Sequence, residues 1–93
     1  GIKIAPEEIE SVAMQYEAIA DCACIPVEDP LTGQAPKLFI ALQPDNTYDQ
    51  KSFKSFLSEK LDASKQPKFI EIIDSIPRTF NGKIKRNELM SLQ

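Results

Sequence analysis

The sequence predicts a small α+β domain, in which a mostly antiparallel three-stranded sheet is covered by packed helices. Three observations support this fold class. The 93 residues suffice for one domain with a modest core, and the apolar (42%) and charged (27%) fractions are typical of globular proteins. Helical and strand periodicities alternate in the order α-β-β-α-β-α. We therefore expect a single domain over residues 1–93.

Spacing and capping patterns predict three helices. Proline suits the first turn of a helix, so Pro6 and the acidic residues after it predict a helix over 6–16. Thr47, followed three residues later by a glutamine, fits a capping box and begins a helix over 48–61. A short last helix is expected over 86–92. Its predicted inward residues are Leu89 and Leu92.

Short apolar runs predict three strands, at 19–27, 37–43 and 68–73. The first two are separated by a turn-rich loop of about ten residues, which predicts an antiparallel hairpin. Pro26 should limit the first strand, and Asp21 should face outward or lie near an edge.

The cysteine and histidine content excludes several site classes. The absence of histidine excludes Ser-His-Asp and Cys-His catalysis and zinc sites built on histidine within this sequence. Cys22 and Cys24 would point to one face of a strand, where a disulfide between them would be strained. We expect both to be small buried residues and to form no metal site, and we expect a cytoplasmic protein.

Charge is divided unevenly along the chain. Residues 1–50 hold two basic against nine acidic residues, whereas residues 51–93 hold nine basic against five acidic ones. This asymmetry points to an anionic partner for the second half, although a solvated surface of mixed charge is the alternative. The acidic total and the single aromatic residue of the basic loop, Phe80, argue against nucleic acid. No apolar run is long enough for a transmembrane segment, no signal-peptide pattern begins the sequence, and the missing initial Met suggests a piece of a longer protein.

The segment 77–86 is the candidate for chemistry. Asn81 and Gly82 tolerate positive φ and predict a tight turn, which would present Lys83 at the tip of a loop. An ammonium group suits an anionic oxygen, although a solvated hairpin turn would look the same by charge alone.

Three segments of the chain carry a resemblance to a known family. Residues 77–89, Pro-Arg-Thr-Phe-Asn-Gly-Lys-Ile-Lys-Arg-Asn-Glu-Leu, resemble the C-terminal motif Pro-Lys/Arg-Thr-x-x-Gly-Lys-Ile-x-Arg-x-x-Leu of the acyl-adenylate-forming superfamily. Residues 1–10 resemble its Gly-x-Lys/Arg-Ile-x-Pro-x-Glu-Ile-Glu segment, and residues 25–36 resemble its Val-Pro-Asp-x-x-x-Gly-x-x-Pro stretch. The three motifs occur in the family's order and extend over nearly the whole chain.

The resemblance implies a two-step reaction in a larger enzyme. A carboxylic acid, such as a fatty acid, attacks ATP to give acyl-AMP and pyrophosphate, and a thiol, usually that of coenzyme A, then displaces AMP. A large N-terminal domain binds ATP and the acid, and Mg²⁺ is expected there. The present chain would be the mobile C-terminal domain, which changes orientation between the steps and is inactive alone.

Three site residues follow from the same resemblance. Lys83 matches the lysine of the adenylation step, and it is the expected catalytic residue. Gly1 matches the glycine beside the pantetheine tunnel, and Lys3 matches a base near the coenzyme A phosphates. No metal ligands are expected in this chain.

Two other functions remain open from the sequence. The chain could belong to an amino-acid-adenylating domain that serves a carrier protein, or it could be a non-enzymatic interaction module that uses its basic half. The segment after Leu61 matches the family's pattern at that place only in part, and its form favours coenzyme A as the acceptor.

Overall fold

The computed structural model of the chain describes residues 5–45 and 47–92. It has helices, strands and one short 3-10 turn in nearly the predicted order. The elements are α1 (Pro6–Ala13), β1 (Ile19–Asp29), β2 (Gly33–Leu42), α2 (Gln50–Lys60), a 3-10 turn (Ala63–Lys65), β3 (Phe69–Ile72) and α3 (Arg86–Met90).

The three strands form one sheet in the order β1-β2-β3. β1 and β2 are an antiparallel hairpin, with Cys24 opposite Leu38. β3 lies on the other side of β2 and runs parallel to it, with Leu38 opposite Ile70. The parallel pairing has a physical reason, because α2 carries the chain back along the sheet before β3 begins. The predicted α+β class with a mostly antiparallel three-stranded sheet is confirmed.

Each face of the sheet is covered by its own apolar cluster. On one face α1 and α2 pack over the sheet, and the buried side chains there include Ile9, Phe53 and Leu38. On the other face Leu89 of α3 packs with Phe39 and neighbouring residues. The strict alternation of β2 produces this division, since successive side chains of a strand point to opposite faces.

The hairpin between β1 and β2 is tighter than the sequence predicts. β1 extends to Asp29 and β2 begins at Gly33, so three residues form the turn instead of about ten. Asp29 accepts hydrogen bonds from the backbone amide and the hydroxyl of Thr32, and Gly33 has a φ of +88°. Pro26 does not end its strand, because β1 is an edge strand, where a missing amide donor is tolerated.

The helices are shorter than predicted. α1 ends at Ala13, and α2 begins at Gln50. The N-cap of α2 is Asp49, whose carboxylate accepts from the backbone amide of Ser52 at 3.0 Å, so the expected cap at Thr47 is wrong. Leu92 lies beyond α3 and is 53% exposed, so its predicted inward position is also wrong.

The two cysteines have the predicted structural role. Cys22 and Cys24 are free and buried, and both pack in the cluster beneath α1 and α2. Burial raises the pKa of each thiol to about 12, so neither is a reactive thiolate near neutral pH. Within the described ranges, no helix has both the length and the apolar composition to cross a membrane.

Candidate functional site

A short hairpin presents the predicted lysine. Arg78 and Ile84 form an isolated antiparallel bridge, and the Thr79 amide donates to the Lys83 carbonyl at 2.8 Å. The Gly82 amide donates back to the Thr79 carbonyl at 2.9 Å, which closes a four-residue turn. The Lys83 amide in turn donates to the Thr79 hydroxyl at 3.1 Å. The backbone on both sides of the tip is therefore held by hydrogen bonds.

One glycine gives this turn its shape. Gly82 has a φ of +91°, a conformation that side-chain-bearing residues rarely adopt. A Cβ added at Gly82 would contact nothing within 4 Å, so the requirement comes from the backbone angle and not from space. Asn81, which the sequence also suggested for positive φ, has none, because Gly82 alone reverses the chain.

Arg78 anchors the hairpin to the sheet. Its guanidinium donates to both carboxylate oxygens of Asp21 on β1, at 2.9 and 2.7 Å, and also to the Gly82 carbonyl at 2.5 Å. One side chain thus joins the edge strand and the turn. The hydrogen bond from Arg78 holds the pKa of the Asp21 carboxyl below its usual value, so the pair stays charged at neutral pH.

Arg86 anchors the other end of the segment. Its guanidinium donates to Glu10 of α1 at 2.8 Å and to the Cys24 carbonyl of β1 at 2.6 Å. The Glu10 carboxylate also accepts from the Cys24 amide at 2.7 Å. The start of α3 is consequently tied to a helix and a strand that lie far away in the sequence.

Two side chains of the hairpin extend into solvent between these anchors. Lys83 is exposed, and in the part of the chain that the structure describes its ammonium has no ion pair or hydrogen-bond partner. The Phe80 ring is fully exposed, at 105% of its reference area. The arrangement combines a fixed backbone with an available cation, which can meet an anionic group on a second body.

Much of the charge asymmetry is neutralised within the chain. Ion pairs join four basic residues of the second half to acidic residues of the first half. The pairs are Lys65–Glu8, Lys68–Asp29, Arg78–Asp21 and Arg86–Glu10. The anionic partner that the asymmetry suggested is therefore largely the first half of the chain itself, and Lys83 is outside this set.

The other predicted site residues cannot be placed with Lys83. Gly1 and Lys3 lie outside the described residues, so their roles stay predictions. Within 5–45 and 47–92, no three histidine, cysteine or acidic side chains come together as a metal-binding group.

Asp21 and Glu10 are functional supports that the sequence analysis missed. Their partners, Arg78 and Arg86, stand in the C-terminal motif, but 57 and 76 residues separate the members of the two pairs. The available signal was the excess of acidic residues in the first half together with the excess of basic residues in the second half. It indicates complementary surfaces without saying which acid meets which base.

Comparisons with known proteins agree with the motif. The family described as the AMP-binding enzyme C-terminal domain matches residues 8–83, which include the whole sheet and end at Lys83. A mitochondrial acyl-coenzyme A synthetase of Mus musculus is 37% identical, in an alignment covering 96% of this chain and 16% of that protein. The 2-succinylbenzoate–CoA ligase of Staphylococcus aureus is 38% identical, over 96% of this chain and 18% of that protein.

A solved structure shows the same fold. It is an anthranilate CoA ligase in complex with anthranoyl-AMP, with 34% identity and a TM-score of 0.86. The likeness covers 96% of this chain and 18% of that one. The present chain thus spans less than a fifth of the length of these relatives. The family match, the identities and the shared fold together show that the chain belongs to the AMP-binding enzyme C-terminal domains.

Proposed function

We propose that this chain is the mobile C-terminal domain of an ATP-dependent acid–thiol ligase, which activates a carboxylic acid as acyl-AMP and transfers it to coenzyme A. The observation that carries the proposal is Lys83, whose ammonium has no partner among the described residues and is held at the tip of a hairpin that two arginine anchors attach to the domain. ATP and the acid would bind in the N-terminal domain of the same protein, as would Mg²⁺.

The proposed role of Lys83 follows from charge. A carboxylate nucleophile and the α-phosphate of ATP are both anionic and repel each other. An ammonium placed between them holds the nucleophile in line and offsets the negative charge that develops in the transition state. Since no described residue of the domain neutralises Lys83, its charge is available to the reaction.

The names of the relatives support coenzyme A as the acceptor. One of the curated relatives described above is an acyl-coenzyme A synthetase by name and the other is a CoA ligase, and both names favour this acceptor over a carrier protein. The basic interaction module loses support, because four of the basic residues are engaged within the domain. A role in fatty acid metabolism and a cytoplasmic location stay predictions.

The test of the adenylation role is Lys83→Ala in the full-length enzyme. Adenylation, followed by ATP–pyrophosphate exchange, should fall by roughly 10²–10³-fold, the loss typical of a transition-state electrostatic donor. Transfer of the acyl group from supplied acyl-AMP to coenzyme A should be spared, because it uses the other domain orientation.

Lys85→Ala is the matched control for Lys83→Ala. Lys85 is also exposed and lies two residues away, but its ammonium pairs with Glu88 at 3.3 Å. Its removal should leave adenylation within about twofold of the parent enzyme, as for surface positions in general. An equal loss in both half-reactions of Lys83→Ala would indicate a folding role and contradict the proposal.

We propose further that Gly1 borders the passage for the pantetheine thiol and that Lys3 contacts the coenzyme A phosphates. Gly1→Leu in the full-length enzyme should block acyl transfer and spare adenylation, since a branched side chain would fill a narrow passage where a hydrogen now stands. Gly1→Ala should retain part of the transfer activity. Unchanged formation of acyl-CoA from supplied acyl-AMP in Gly1→Leu would refute the tunnel role.

A further inference from the structure

Phe80 is the most exposed large apolar side chain in the described part of the chain. Its ring is 105% exposed, and Leu31, at the tip of the β1–β2 hairpin, follows at 86%. A single exposed apolar side chain on a flexible surface needs no explanation. Phe80, however, lies on a turn whose backbone is held by hydrogen bonds on both sides, so the ring is presented in a defined place.

The fixed position of Phe80 follows from its neighbours. The Thr79 carbonyl accepts a hydrogen bond from the Gly82 amide, and the Thr79 amide donates to the Lys83 carbonyl. The Arg78 guanidinium donates to the Gly82 carbonyl and to the Asp21 carboxylate. The Thr79 hydroxyl also bonds the side chain of Asn81. Every residue from 78 to 82 except Phe80 therefore makes a contact that shapes or anchors the turn. The ring of Phe80 is free to contact another body.

We propose that Phe80 docks into an apolar recess of the N-terminal domain when the hairpin inserts Lys83, and that it thereby stabilises the adenylate-forming orientation. This inference rests on the proposed function, because it requires Lys83 to enter the site of the larger domain. The partner is that domain of the same protein, and the contact belongs to one of the two orientations.

Chain length and reach favour the N-terminal domain as the partner. The described chain corresponds to 16–18% of the length of its relatives, so most of such a protein lies outside it. Phe80 and Lys83 are three residues apart, and their Cα atoms cannot be separated by more than about 11 Å. When Lys83 reaches an anion within a cleft, Phe80 must enter the same cleft or meet its rim. Contact with an apolar surface there would stabilise this orientation, because it removes the ring from water.

The experiment compares Phe80→Ser with Leu31→Ser in the full-length enzyme. The two variants exchange similarly exposed apolar residues, each at a hairpin tip. Arg78 ties the Phe80 hairpin to Asp21, whereas Leu31 follows Asp29 at the other end of β1, about 26 Å away along the strand. We expect kcat/KM for adenylation to fall by roughly 10- to 100-fold in Phe80→Ser, the range that corresponds to leaving one buried apolar side chain in water.

Four measurements separate docking from a general defect. Acyl transfer from supplied acyl-AMP should be unchanged in Phe80→Ser, and so should the melting temperature, because no described residue of its own domain covers the ring. Phe80→Leu should keep most of the adenylation activity, since apolar area and not ring chemistry provides the contact. Leu31→Ser should leave adenylation at the level of the parent enzyme.

The outcomes distinguish this inference from the proposed function. Normal adenylation in Phe80→Ser together with a severe loss in Lys83→Ala would overturn the docking role and leave the ligase proposal standing. Normal adenylation in both variants would overturn the proposed function as well. Equal losses in both half-reactions of Phe80→Ser would overturn an orientation-specific contact. A concentration-dependent dimer that Phe80→Ser abolishes would overturn it in favour of a second copy of the chain as partner.

Discussion

Arg86→Met should destabilise the domain far more than its partly exposed position suggests. The Arg86 side chain is 34% exposed, but it donates to Glu10, whose side chain is only 13% exposed. It also donates to the Cys24 carbonyl at 2.6 Å. Methionine keeps much of the aliphatic stem and removes the guanidinium. The Glu10 carboxylate then keeps the Cys24 amide as its donor and loses its cation.

The magnitude follows from those contacts. Hydrogen bonds involving a charged group contribute about 1.5–3 kcal/mol each, and removing one partner of a buried ion pair costs about 3–5 kcal/mol. Partial exposure of Arg86 reduces these values through solvent screening, so we expect a loss of about 2–3 kcal/mol. Domains of this size have only about 5–10 kcal/mol of unfolding free energy. The melting temperature should fall by roughly 10–20 °C.

Urea denaturation of the 93-residue chain, followed by circular dichroism, measures this loss. Lys85→Met is the control, because its pair with Glu88 is exposed on both sides and should contribute less than about 0.5 kcal/mol. The double variant Glu10→Gln/Arg86→Met should lose less than the sum of the single losses, since the two side chains interact directly. A loss in Arg86→Met no larger than in Lys85→Met would refute the anchoring role of Arg86.

Two further predictions concern Asp21 and the start of α2. The folded pKa of Asp21 lies below its ordinary value of 3.8, so its pairing with Arg78 stabilises the fold above that pH and is lost as the pH falls through the folded pKa. In urea titrations between about pH 5 and pH 2, Asp21→Asn should therefore lose unfolding free energy less steeply than the parent, and identical pH profiles would contradict this. Asp49→Ala should lower the melting temperature by roughly 5 °C, because the N-cap of α2 is lost. Thr47→Ala should leave the melting temperature nearly unchanged. A larger decrease in Thr47→Ala than in Asp49→Ala, measured in thermal scans, would identify Thr47 as the cap instead.

Local patterns were sufficient for the parts of the fold that depend on neighbouring residues. The apolar runs at 19–27 and 37–43 predicted the two strands that pair in the hairpin, and alternation along β2 divides its side chains between the two clusters. The prediction failed where two local signals competed. Thr47 and Asp49 both suit an N-cap, and the chain selects the one whose carboxylate reaches the Ser52 amide. Turn-forming residues after Asp29 concealed a short hairpin, since Gly33 and Pro36 belong to the beginning of β2, before the part of that strand that pairs with β3, where glycine and proline are tolerated.

The sequence by itself determined the family, the α+β class and the candidate Lys83, because these depend on residue types at short spacings along the chain. Tertiary structure alone decided how the hairpin that carries Lys83 is anchored to the rest of the domain. Arg78 meets Asp21 and Arg86 meets Glu10 across 57 and 76 residues, and only folding brings such distant charges within hydrogen-bond range. The physical reason is that periodicity reports which face a residue occupies, whereas the pairing of charges on different elements depends on how those elements pack. That packing leaves Lys83 without a partner in the described chain, at the tip of a hairpin that its neighbours hold in place.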